Sequence, residues 1–126
     1  MGLTNAGRDF LAGAAVGVES TLFNQANARI GVGNGEGAFS PTQTDLQGAS
    51  KFRKGMDSGY PTRNGNVLTF KSTFEGAEAN FPWQEWAVFN AATGGVMLSR
   101  LVEYNGTKQP GQTWIFEVEL TINIGS

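Results

Sequence analysis

The stretch Thr113-Trp114-Ile115-Phe116-Glu117-Val118-Glu119-Leu120-Thr121-Ile122-Asn123-Ile124 decides the fold. Trp114, Phe116, Val118, Leu120, Ile122 and Ile124 take every second position. Thr113, Glu117, Glu119, Thr121 and Asn123 take the others, and Ile115 is the apolar exception. Side chains of a strand point alternately to its two faces, so this period of two describes a long strand with one face on a core and the other in water.

Working back from it, shorter segments repeat the pattern. Val96 to Tyr104 reads as a strand behind a Thr93-Gly94-Gly95 turn, and Trp83 to Asn90 as another, entered through the break at Phe81-Pro82. Asn66 to Phe74 alternates, with Leu68, Phe70 and Phe74 on one face and Thr69, Lys71 and Thr73 on the other. It follows an Asn64-Gly65 turn signal, both of whose residues tolerate positive φ. Lys51 to Asp57 is a further strand. Ala28, Ile30 and Val32 alternate with Arg29, Gly31 and Gly33 in a short half-buried one.

Two segments read as helical. Thr4 or Asn5 can cap a helix over Asn5 to Ala15, with Phe10, Leu11, Ala14 and Ala15 as its apolar side, Gly13 weakening it and Gly17 able to end it. Glu19 to Asn27 is a polar connection with one anchor among Leu22 and Phe23. Ser40-Pro41-Thr42-Gln43 has the form of a capping box with Pro at the first helical position, which predicts a turn or two of helix from Pro41 to about Leu46. The expected architecture is mainly β: one antiparallel, sandwich-like domain over residues 1–126, with a short N-terminal helix and one short additional helical turn.

Composition bounds the chemistry. The 126 residues can bury a single core, and without Cys or His the chain has no disulfides, thiol nucleophiles, Ser-His-Asp triads or ordinary zinc sites. Its 18 glycines are about twice average usage. Nine basic against eleven acidic residues leave a net charge of -2, with no footprint for nucleic acid; the Lys51, Arg53 and Lys54 cluster reads as the solvated face of a strand. No signal peptide or membrane span is expected, because Arg8 and Asp9 sit inside the N-terminal region and Phe10 to Val18 is interrupted by glycines. Asn105-Gly106-Thr107 has the glycosylation acceptor pattern, which carries little weight without an export signal.

Candidate sites are few. Gly33-Asn34-Gly35-Glu36-Gly37 lacks the Gly-Lys-Ser/Thr of a phosphate loop and reads as a turn, although Asn34, Glu36 and carbonyls leave an improvised calcium site open. Glu117 and Glu119 lie two apart on one strand face, within the separation used by glycosidase carboxylates, but that face is more simply the wet side of a strand. Trp83 and Trp86, three apart, are expected on opposite faces, one in the core and one free to stack on a sugar or a protein; two buried tryptophans flanking a bulge is the equal alternative. Glu85 between them, if buried, needs a backbone donor or a basic partner such as Arg100.

Four elements in register complete the reading: Leu3-Thr4-Asn5-Ala6-Gly7; Ile30-Gly31-Val32-Gly33-Asn34-Gly35; Pro41-Thr42-Gln43-Thr44-Asp45-Leu46; and Trp86-Ala87-Val88-Phe89-Asn90 behind an acidic residue. Their order resembles the N-terminal domain of phage tail-collar fibre proteins, with Asn34 and Asn90 in place of Asp and Ala87 in place of Gly. The chain also resembles small stand-alone virion proteins of tailed phages. The resemblance implies a non-catalytic, cofactor-free virion component, made in the host cytoplasm, that docks on other virion proteins. No fibre shaft is expected after Ser126. Decoration of the capsid surface is the leading expectation and a tail, baseplate or fibre adaptor the alternative, with a glycan-binding module a third. Self-association, with a trimer among its forms, is expected of either virion role. Expected protein contacts are Asn34, Gly35, Glu36, Trp83, Trp86, Asn105 and Lys108, with no nucleic acid or membrane partner.

Overall fold

A computed structural model describes residues 2–123. In chain order the elements are β1 (Gly2–Leu3), α1 (Asn5–Ala15), β2 (Arg29–Gly33), β3 (Lys51–Gly55), β4 (Thr62–Asn64), β5 (Val67–Phe74), β6 (Glu85–Phe89), β7 (Met97–Val102) and β8 (Trp114–Thr121). They form two antiparallel sheets, one ordered β1-β7-β6-β2-β3 and the other β4-β5-β8. The expected β-sandwich with an N-terminal helix is therefore what the chain builds. Ile124 lies outside the described residues.

The last strand does what its alternation demands. β8 pairs with β5 from Phe74 opposite Trp114 to Val67 opposite Thr121. Val118 and Leu120 are buried beside Phe70 and Phe74, while Ile115, Glu117, Glu119 and Thr121 are exposed. From the facing sheet come Ile30, Val32, Trp86, Val88 and Leu98. An edge-to-face aromatic chain runs through the contact: Trp83 lies 4.8 Å from Phe74, 4.9 Å from Trp114 and 5.5 Å from Phe116 between ring centroids. Each such pair adds about 0.5–1.5 kcal/mol beyond its buried area.

Helix α1 starts as its sequence predicts. The Thr4 hydroxyl accepts from the Gly7 amide at 2.8 Å and donates to the Met97 carbonyl, so one residue caps the helix and fastens it to β7. Gly7 is there because the backbones touch: a Cβ would lie 2.4 Å from the Leu98 carbonyl oxygen. The connection's anchor is Phe23, whose ring is 4.9 Å from that of Phe10, while Leu22 is exposed.

Three expectations change in detail. The turn between β4 and β5 is Gly65-Asn66, with Asn64 the last residue of β4; Gly65 alone takes positive φ, at 61°. After Ser40 the capping box closes, with the Ser40 amide donating to Gln43 Oε1 at 3.1 Å, but it makes a single turn and no helix follows. The reason is competition for amides: Leu46 N–H donates to Asp45 Oδ1 at 2.8 Å and Gln47 N–H to the Glu85 carboxylate at 2.9 Å, so neither closes a helical bond. Finally, the β3 cations are not a simple solvated face. Lys51 and Arg53 both bond Asp45, at 3.0 and 3.3 Å, and Lys54 bonds Glu78 at 2.8 Å. The Arg53 side chain is only 12% exposed and stacks with its guanidinium carbon 3.5 Å from the Phe89 ring centre.

Candidate functional site

The densest polar chemistry in the molecule is buried. Glu85 opens β6 and Arg100 lies in β7, its neighbour; both side chains are fully enclosed, with Arg100 Nε donating to Glu85 Oε1 at 2.7 Å. The remaining capacity of the carboxylate is filled by backbone amides from both ends of the single connection between β2 and β3: Gly35 at 3.0 Å, Gly48 at 2.7 Å, and Gln47 at 2.9 Å to one oxygen and 3.1 Å to the other. Arg100 spends its other nitrogens on the Gln43 side-chain oxygen at 3.0 Å and the Gly37 carbonyl at 2.9 Å. A buried charge that lacked these partners would cost several kcal/mol, so the pair dictates the path of the β2–β3 connection at both its ends. The glycines make room for it: a Cβ at Gly33 or Gly35 would sit 2.5 Å from Glu85 Oε2. Of the two kinds of partner expected for a buried Glu85, a backbone donor or a basic group such as Arg100, it has both.

Asn34 completes the loop by accepting from Ser50 N–H through Oδ1 at 3.0 Å, while its own amide donates to the Ser50 carbonyl at 3.1 Å. Nearby Asp45 has its pKa lowered: burial pushes it up, but bonds from Lys51, the Leu46 amide and Arg53 outweigh this. Glu78 is lowered chiefly by Lys54 and by the Glu75 amide. Arg53 is itself lowered by burial, partly offset by Asp45.

Of the seven expected contact residues, only Glu36 and Asn105 are exposed. Asn34 is half-buried, and Gly35 is buried against Glu85. Lys108 is 1% exposed, because its ammonium donates to the Glu75 carbonyl at 2.6 Å and to Asn80 Oδ1 at 3.0 Å. Trp83 and Trp86 are both in the core, at 1% and 8% exposure, which removes sugar stacking on either ring. Their expected opposition rested on a continuous strand. Instead Trp83 precedes β6, pairs with the segment around Gly106, and turns inward to bond the Ala79 carbonyl through Nε1 at 2.9 Å.

Glu117 and Glu119 lie on the outward face of β8, opposite Lys71 and Thr69 of β5. Among the described residues, no three acidic side chains gather where a metal could be held, and no helix is long and apolar enough to cross a membrane. One surface went unassigned in the sequence: an open groove of about 440 Å³ beside β8, lined by Trp83, Asn105, Thr113, Trp114, Ile115 and Phe116. Its signal was Ile115, the one residue that broke the alternation. No family model, curated protein or solved structure matches the chain.

Proposed function

We propose that the chain is a non-catalytic structural component of a tailed-phage particle, with capsid decoration the leading role and a tail, baseplate or fibre adaptor the alternative. One observation carries the reading. Three of the four sequence elements that resemble phage docking domains, namely Ile30 to Gly35, Pro41 to Leu46, and Trp86 to Asn90 with the acidic residue before it, meet at the Glu85–Arg100 pair through Gly35, Gln43 and Glu85. The chain's most enclosed charges thus hold the connection between β2 and β3 in shape. Its partners in this reading are other virion proteins and further copies of itself, and its place is the virion.

The experiment is location. Mass spectrometry and imaging of purified particles should find the chain at a copy number matching the shell lattice. A handful of copies per particle would move the assignment to the tail, and absence from particles would end both roles.

A further inference from the structure

We propose that a second copy of this chain adds to the free edge of β8, across a two-fold axis at Ile115. β8 is the outermost strand of its sheet, and among the described residues no strand pairs with its other side. In an antiparallel ladder, successive residues turn their backbone groups alternately toward one neighbour and away from it. Ile122 N–H donates to the Asn66 carbonyl on the β5 side at 2.8 Å, so the even positions of β8 face β5. Ile115, Glu117, Glu119 and Thr121 therefore present their backbone groups to the open edge, where the groove lies.

The other outer strands are poor docking edges. β1 has two residues and β4 three, and β3 is lined with Lys51, Arg53 and Lys54. Short and charged edges are how sheets avoid added strands. β8 combines eight residues with an Ile115 that is 63% exposed.

The sequence of this edge is complementary to itself with the two-fold axis at Ile115. With Ile115 opposite Ile115 of the second copy, Trp114 stands opposite Phe116 and Thr113 opposite Glu117, each twice. Aromatic and apolar groups meet their own kind across the strands, and both half-buried rings, Trp114 and Phe116, gain cover. No glutamate faces another. Moving the axis two residues along, to Glu117, would set like charges directly opposite each other, which destabilises a strand pair. The charge pattern thus excludes an axis at Glu117, and among the registers without facing glutamates the Ile115 axis is the one that sets Ile115 against Ile115 of a second copy.

The chain has no cysteine, so single-cysteine variants read the register directly. Thr113→Cys, Ile115→Cys, Glu117→Cys and Glu119→Cys would be oxidised mildly and dimer formation followed on non-reducing gels. Directly opposed residues of such a pair have Cα atoms about 5.5 Å apart, within disulfide reach. Ile115→Cys should cross-link fastest, and Glu119→Cys should lag. In parallel, sedimentation of the wild-type chain should show a concentration-dependent shift from monomer to dimer. Ile115→Lys should weaken that association about tenfold or more, as loss of a central interface anchor does, with an unchanged circular dichroism spectrum. A wild-type chain that stays monomeric, a larger oligomer indifferent to Ile115→Lys, or cross-linking that is uniform or peaks at 117 or 119 would overturn the proposal. The dimer is read on the purified chain, so its failure is distinct from absence of the chain from particles.

Discussion

Glu85 shows how one enclosed carboxylate can organise distant backbone. Removing it by Glu85→Ala leaves Arg100 charged in a closed site and frees the amides of Gly35, Gln47 and Gly48. The expected loss is about 3–5 kcal/mol, the usual cost of breaking a buried pair, measured by urea denaturation. Replacing both partners with apolar residues, Glu85→Leu with Arg100→Met, often rescues a simple buried pair. Here it should not, because the amides still lose their acceptor; recovery of wild-type stability in the double variant would show that the loops do not depend on the carboxylate. The sequence made the kinds of partner legible, since a buried carboxylate needs a backbone donor or a basic partner such as Arg100. Which backbone amides would serve was not legible, because nothing local in residues 33–48 states that they turn toward β6.

Secondary elements were readable where local chemistry and tertiary contacts agreed. α1 begins at its cap and β8 keeps its alternation. The capping box at Ser40 failed to propagate because carboxylates took the next amides, a competition visible only in three dimensions. Trp83 broke the parity argument because it lies outside the strand that parity assumes. The two glycines of α1 test the balance between propensity and contact. Alanine is preferred over glycine in a helix interior by about 1 kcal/mol. Gly13→Ala should be neutral or gain part of that, since the three atoms nearest its new methyl all belong to the Glu19 side chain, which can rotate away. Gly7→Ala should lose stability despite the same propensity gain, because its methyl would press on the Leu98 backbone. Thermal midpoints of the two variants should move apart, and a stabilising Gly7→Ala would refute the close docking of α1 on β7.

At the scale of the whole molecule, the surface ion pairs set the response to acid. Asp45 and Glu78 are held below their ordinary carboxylate values in the folded chain. A carboxyl lowered on folding stabilises the fold at pH values above its unfolded pKa, about 4, and that contribution disappears as pH falls through the lowered value. Stability should therefore decline below about pH 5. In Asp45→Asn combined with Glu78→Gln, the denaturation midpoint should start lower at pH 7 and fall less between pH 6 and pH 3; an unaltered pH slope would exclude these two groups as its source.

The sandwich also ties the two ends of its long β2–β3 connection to a single event. The amides of Gly35, Gln47 and Gly48 share one acceptor, so none can open to solvent for long while the others stay closed. In deuterated water these three, although they sit in a segment without regular secondary structure, should exchange slowly and at one common rate, as a cooperative unit that opens only when the connection leaves the Glu85 carboxylate.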